Sequence, residues 1–397
     1  MEQDTKLIHT GRYPEKFHGS VNPPIFQTST IIFPTVKSYH DAENGKSCYS
    51  DESSVPFLDS SYGITGTPTT FALAEAIAKL EGGDHTLLVP SGLSAVTMTL
   101  MALLGPGDHL LMPESVYGPS RRFCIKELSR LGIITDFYDP TIGEGIAELM
   151  KQNTRIVFTE SPGSLMFEVQ DIPAIAKVAH ARNAIVVTDN SWATPLHFKP
   201  FEHGVDISLQ AITKFIGGHG DIIMGAITSK EQHFRPLYDY FRNSGLYVSP
   251  HDCYMAQRGV RTLSSRLKQH YANGMALADW LKSRKEVAEI LYPALPGDRF
   301  HDLWKRDYTG ACGLFTFVLH PEYSQESVYK MMDAMELFAI GVSWGGYESL
   351  ILSFPPSAVR SGAKWKAAGP AVRIHAGLED PGDLIRDLEA GFKFLTK

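Results

Sequence analysis

From Thr86 to Ile212 short apolar runs alternate with segments of helical periodicity, a rhythm that few folds accept. Thr86–Val89, His109–Met112, Ile133–Phe137, Arg155–Thr159, Ala184–Thr188 and Asp206–Ile212 predict buried strands. Leu93–Leu104, Ser120–Leu131 and Ile172–Arg182 predict the helices between them. Strands that are apolar along their length need cover on both faces, which points to a largely parallel sheet in an α/β fold. Ligands of such sheets bind at the carboxyl ends of the strands.

Residues 1–60 show weak periodicity and a polar stretch from Ser38 to Ser61, so this segment is expected to lie over another surface. A helix follows, with Phe71, Leu73, Ile77 and Leu80 at helical spacing and Gly82-Gly83 as its stop. Near Ser249 a long helical pattern begins and continues through Val260 and Leu267 to Leu281. Beyond it, strands Gly313–Leu319, Leu350–Ser353 and Val372–His375 and helices Glu326–Met335 and Asp383–Leu395 predict a smaller α+β domain. The expected division is an N-terminal segment 1–60, a large domain 61–255 and a C-terminal domain 256–397.

A net charge of −7 and the lack of a basic cluster with interleaved aromatics speak against nucleic acid as a partner. No apolar run is long enough to cross a bilayer, and the polar start Met1-Glu2-Gln3-Asp4-Thr5 predicts no secretory signal. Cys48, Cys124, Cys253 and Cys312 lack metal-ligand spacing, so neither a zinc site nor a disulfide framework is expected. A cytoplasmic enzyme is the expectation.

Four features fall at strand ends. Ser91-Gly92-Leu93 joins a strand to a helix; amides at the helix start can cup a phosphate, or the motif is an ordinary turn. Asp189 ends a strand and can pair with a protonated ring nitrogen, or cap the next segment. Lys214 follows Thr213 ahead of Gly217-Gly218-His219-Gly220-Asp221. A lysine at the end of a buried strand is costly unless engaged, and desolvation frees its amine to attack a carbonyl; the alternative is a side chain reaching to the surface. The glycines after it are expected to leave room for a bulky group. Arg373 lies within an apolar strand and suits a planar carboxylate, or a structural ion pair. Together the four supply a phosphate cup, a pyridinium partner, a Schiff-base lysine and a carboxylate clamp, the parts that pyridoxal-5′-phosphate (PLP) chemistry on an amino acid needs. No GxGxxG follows the first strand, against a dinucleotide-binding reading.

The motifs Ser91-Gly92, Asp189-Asn190-Ser191-Trp192-Ala193, Thr213-Lys214-Phe215-x-x-Gly218-His219-x-Asp221, Gly346-Tyr347-Glu348-Ser349-Leu350 and Arg373-Ile374-His375-Ala376-Gly377-Leu378-Glu379-Asp380 resemble the Cys/Met-metabolism family of fold-type I PLP enzymes over essentially the whole chain. Within it, Pro293-Ala294-Leu295-Pro296-Gly297, Trp304-Lys305-Arg306-Asp307 and Ser343-Trp344-Gly345-Gly346 are most similar to its bacterial cystathionine β-lyases. The resemblance implies a mostly parallel seven-stranded sheet in a PLP-binding domain, a smaller C-terminal domain, and a homotetramer whose active sites are shared across a dimer interface. It implies β-elimination of cystathionine to homocysteine, pyruvate and ammonia, with γ-lyase, γ-synthase, cysteine desulfhydrase or a non-catalytic PLP-binding role as alternatives.

By the same resemblance Lys214 carries the cofactor, Asp189 holds its ring nitrogen, and Tyr117 stacks on the ring and serves as a proton donor. Gly92 and Leu93 amides, Thr213 and a partner's Tyr62 hold the phosphate, and Arg373 with Ser343 and Trp344 binds the substrate carboxylate. The sequence departs from the family where Tyr-x-Arg is usual: it has Tyr62-Gly63-Ile64. It also has Ala211-Ile212-Thr213-Lys214 where Ser-x-Thr-Lys is common. One cation and one hydroxyl are therefore missing from the phosphate's expected surroundings, with Arg121 or Arg122 as substitute cations.

Overall fold

A computed structural model describes residues 2–43, 60–354 and 369–396. Residues 44–59, with Cys48 and much of the polar stretch, lie outside the described residues.

The first sheet contains β1 (His85–Val89), β2 (His109–Pro113), β3 (Ile134–Tyr138), β4 (Thr154–Glu160), β5 (Ile185–Asp189), β6 (Ile207–Ala211) and β7 (Gly225–Ser229). Their order is β1-β7-β6-β5-β4-β2-β3. Only β7 runs against its neighbours, pairing antiparallel with β1 and β6. The expectation of a seven-stranded, mostly parallel sheet therefore holds. Six strands were legible as apolar runs; β7 was not, because it opens on Gly225 and is built mostly of small residues. The structure explains that glycine: a Cβ there would lie 2.2 Å from the Ser91 carbonyl oxygen.

The second sheet contains β8 (Val287–Leu291), β9 (Leu314–Leu319), β10 (Ala339–Ile340), β11 (Leu350–Phe354) and β12 (Ala371–His375), in the order β10-β11-β12-β9-β8. The sequence marked three of these; β8 carries Glu289 on an exposed edge, and β10 is two residues long. Between the sheets runs the helix Pro250–Lys282, capped by the Ser249 hydroxyl, with Val260, Leu263, Leu267 and Leu277 fully buried. One continuous core joins it to Leu111 and Val186 of the first sheet and to Phe315 and Val372 of the second. The division we propose between large and small domains falls inside this helix.

The helix Pro68–Glu81 starts on a Thr67/Thr70 capping box with Pro68 in its first turn, and Gly82 ends it at φ 85°. Between β2 and β3 the helix begins at Gly118, two residues before the expected Ser120, and widens to a π-turn over Cys124–Leu128. No described helix is long and apolar enough to cross a membrane, and no group of three or more potential metal ligands occurs among the described residues.

Candidate active site

The carboxyl ends of β1, β2, β4, β5 and β6 lie along one edge, and the expected residues gather there. Gly92 is the first residue of the helix Gly92–Leu103, with Ser91 as its cap: the Ser91 hydroxyl accepts the Ser94 amide at 3.0 Å. Gly92 and Leu93 precede that amide at the positive end of the helix dipole. A Cβ on Gly92 would come within 2.7 Å of Ala211 Cβ. The glycine thus lets the helix start press against β6, rather than clearing space only for a ligand.

Asp189 closes β5, and its Oδ1 accepts the Ser191 amide at 2.9 Å. Burial raises its pKa, opposed by the Ser191 hydrogen bonds and by the Lys214 charge. Beneath it is a buried polar network that the sequence did not reveal. Glu81 accepts from Gln210 at 2.6 Å, Ser208 at 3.1 Å and Asn190 at 3.4 Å, and Gln210 also donates to the Asn190 carbonyl at 3.0 Å. These bonds lock the ends of β5 and β6 in relative register. Burial lifts the Glu81 carboxyl to about 7.

Lys214 stands three residues past β6. Its Nζ donates to Ser343 Oγ at 2.5 Å and lies 5.1 Å from the Trp344 ring centre. Burial, with the Arg373 charge behind it, lowers the amine to about 8, against the pull of Asp189. The Arg373 guanidinium, itself lowered by burial to about 10, donates to the Ser343 carbonyl at 3.1 Å. Ser343 is held at φ 109°, a region non-glycine residues rarely adopt. Gly345, at φ 87°, packs so closely that a Cβ would lie 2.9 Å from Lys214 Cα. Phe215, next to Lys214, packs at 5.4 Å against Trp344. Behind the loop, His375 Nε2 lies 3.1 Å from the Gly345 amide and 3.0 Å from the Gly346 carbonyl, a brace absent from the sequence reading.

The glycines after Lys214 have a different purpose from the one expected. A Cβ on Gly218 would meet the Arg266 guanidinium at 2.0 Å, and one on Gly217 would meet Ile222 at 2.8 Å. The room is filled by the protein: Arg266 donates to the carbonyls of Phe215 at 2.6 Å and Gly259 at 2.7 Å, fixing the turn behind the lysine.

The Thr213 hydroxyl donates to the Met224 carbonyl at 3.2 Å and accepts the Met224 amide at 3.0 Å, so its bonds within the chain tie β6 to the strand start at β7. Tyr117 is 45% exposed, and its hydroxyl pKa is raised, first by burial, with the Glu160 and Asp189 charges adding to the rise and those of Arg122 and Arg373 opposing it. Its amide donates to Glu160 Oε2 at 2.8 Å. Arg121 lies 3.8 Å from the Phe137 ring centre and 3.7 Å from Glu114, so its guanidinium has partners within the chain. Tyr62 and Ile64 are 50% and 37% exposed, and the described contacts of Tyr62 are a bridge to Thr30 and bonds to its carbonyl from Ser60 and Thr65. Lys214, Asp189, Tyr117, Arg373, Ser343 and Trp344 thus form one cluster, with Gly92 across β6; Tyr62 stands outside it.

This geometry has known counterparts. The sequence profile of the Cys/Met metabolism PLP-dependent enzymes matches residues 4–393. The chain is 39% identical to the cystathionine β-lyase of Escherichia coli K12 over 394 residues, 98% of each chain. It is 43% identical to an L-alanine/L-glutamate racemase of Wolbachia pipientis over 391 residues, 98% of this chain and 96% of that one. A crystal structure of cystathionine γ-lyase from Lactobacillus plantarum superposes with a TM-score of 0.88 at 26% identity, covering 100% of this chain and 99% of that one. The chain belongs to the Cys/Met metabolism family of PLP-dependent enzymes, fold-type I proteins that act on amino acids with pyridoxal 5′-phosphate as cofactor.

Proposed function

We propose that this protein is a carbon–sulfur lyase that cleaves L-cystathionine by β-elimination into homocysteine, pyruvate and ammonia, a step of methionine biosynthesis. The cluster fits the cofactor chemically. Lys214 offers a desolvated amine for its aldehyde, Asp189 a buried carboxylate for its ring nitrogen, and the Gly92–Leu93 helix start two amides for its phosphate. When bound, PLP supplies an electron sink for the pair left at Cα after proton removal.

One observation carries the proposal. Ser343 joins the two groups an amino acid must meet: its hydroxyl accepts from Lys214 and its carbonyl accepts from Arg373. A substrate carboxylate taken by the guanidinium therefore brings Cα beside the Lys214 amine. With its pKa lowered to about 8, that amine is neutral in roughly a tenth of molecules at pH 7 and takes the Cα proton as general base. The Asp189 carboxyl, which burial pushes up and its Ser191 bonds pull back, would pair with the cofactor's ring nitrogen. Lys214 or the Tyr117 hydroxyl then returns a proton to the departing sulfur, and the three-carbon fragment hydrolyses to pyruvate and ammonia. The half-exposed Tyr62 supports a further element of the proposal, a homotetramer in which Tyr62 completes a partner's site.

The relative named as a racemase favours a second reading, in which Lys214 removes the same proton and no bond to sulfur breaks. Incubating the PLP-loaded protein with L-cystathionine and, separately, with L-alanine decides between them. Pyruvate and homocysteine in equal amounts are expected; 2-oxobutyrate as the main product, or D-alanine formed faster than pyruvate, overturns the β-lyase assignment.

A further inference from the structure

Asp189 has a neighbour that the mechanism leaves unused. Glu160 ends β4 as Asp189 ends β5, and the two are direct partners in the parallel register. Adjacent strands lie about 4.8 Å apart, so the two carboxyl groups stand side by side on one face of the sheet. Glu160 is only partly open to the cleft, and its Oε2 accepts the Tyr117 amide at 2.8 Å. Gln170 and Tyr308 wall this end of the strand: Gln170 Nε2 donates to the Glu160 carbonyl at 2.9 Å, and the Tyr308 hydroxyl to the next residue's carbonyl, Ser161, at 2.9 Å.

We propose that Glu160 is a positioning residue, which fixes the main chain of Tyr117 and leaves the negative charge at this end of the sheet to Asp189 alone. This rests on the assignment of Asp189 and Tyr117 to the cofactor ring. Two carboxylates at this spacing repel, and the group with the stronger cationic partners keeps the charge. Asp189 has its Ser191 bonds and the Lys214 charge on its side, and would face the protonated ring nitrogen once the cofactor is bound. Glu160 is pushed well up by burial and by Asp189, with the Tyr117 and Ser164 amides pulling it only partly back. A neutral carboxyl still offers its carbonyl oxygen to the Tyr117 amide. The aromatic ring is thereby held over the cleft by a bond to its own backbone, and the turn opening the helix Gly118–Phe123 is fixed at its first residue.

The test compares Glu160→Gln, Glu160→Ala and Asp189→Asn, each prepared without cofactor and titrated with PLP while the visible absorbance of the lysine-linked cofactor is followed across pH. Glutamine keeps the neutral acceptor, so affinity within about 3-fold of wild type and an unmoved pH midpoint are expected. Alanine removes the acceptor of the Tyr117 amide and should weaken PLP binding by about 10-fold, the size of one lost hydrogen bond. A Glu160→Gln protein whose midpoint moves by a pH unit, or whose affinity falls to that of Asp189→Asn, shows that a charge at 160 matters and overturns the inference. So does wild-type behaviour in Glu160→Ala; if that variant does not fold, the glutamine result alone decides. Wild-type affinity in Asp189→Asn instead overturns the assignment of Asp189, a separate failure.

Discussion

Lys214 is held in the cluster through Ser343, and its desolvation has a measurable cost. Its amine falls from an ordinary 10.5 to about 8 on folding, so the folded state holds the proton less tightly than the unfolded chain. Proton uptake by the unfolded chain therefore lowers stability at every pH below about 8, and this penalty fades as pH rises from about 8 to 10.5. It amounts to about 3 kcal/mol at full protonation. The cofactor-free Lys214→Met protein should accordingly gain stability over wild type at pH 7, with the gain shrinking towards pH 10.5, as read by urea unfolding. A constant difference across that range would show that the amine is not desolvated. Arg373 has the opposite logic, because its charge is kept. A planar fork cannot be copied by an ammonium, so Arg373→Lys should raise KM and cost about 2–4 kcal/mol in kcat/KM, measured from initial rates of pyruvate formation.

At the scale of elements, the loop 343–346 is held from three sides: by Lys214 and Arg373 through Ser343, and by His375 through Gly345 and Gly346. Gly345→Ala drives a methyl group into the main chain of Lys214 and Phe215 at 2.7–2.9 Å and strains a backbone at φ 87°. Activity should fall at least about 10-fold through displacement of Ser343, with the cofactor still bound. Intact turnover in that variant would mean that the loop yields at no cost. Elsewhere, Asp171 caps the helix Ile172–His180 through the Ala174 amide, and also takes two bonds from Arg306. The Arg306 bonds hold its carboxyl below the usual range, so this contribution is present above the unfolded pKa and lost as pH falls through the folded one. Asp171→Ala should cost about 1–2 kcal/mol at pH 7 and less in acid, a trend thermal melts can follow.

For the whole molecule, one face deserves a partner on physical grounds. Beside the half-exposed Tyr62 lies a cleft of about 440 Å³ lined by Ile64, Phe71, Phe234, Tyr238 and Tyr247. If a second copy covers it and Tyr62 serves that copy, mixing inactive Tyr62→Phe and Lys214→Ala subunits regenerates intact sites, and pyruvate formation should return. Verified mixed oligomers without activity would confine Tyr62 to its own chain. What the sequence determined by itself is local or repeated: unbroken apolar runs that must be covered on both faces, the long helical pattern that begins near Ser249, the stop at Gly82, and the residue types of a PLP site at strand ends. Those depend on neighbours a few positions away, so the chain states them directly. Glu160 beside Asp189, Arg266 filling the space at Gly218, His375 behind Gly345, and Ser343 between Lys214 and Arg373 depend on groups up to 129 positions apart in the chain. Strand order, inter-strand register and close packing create those meetings, and only the tertiary structure decides them.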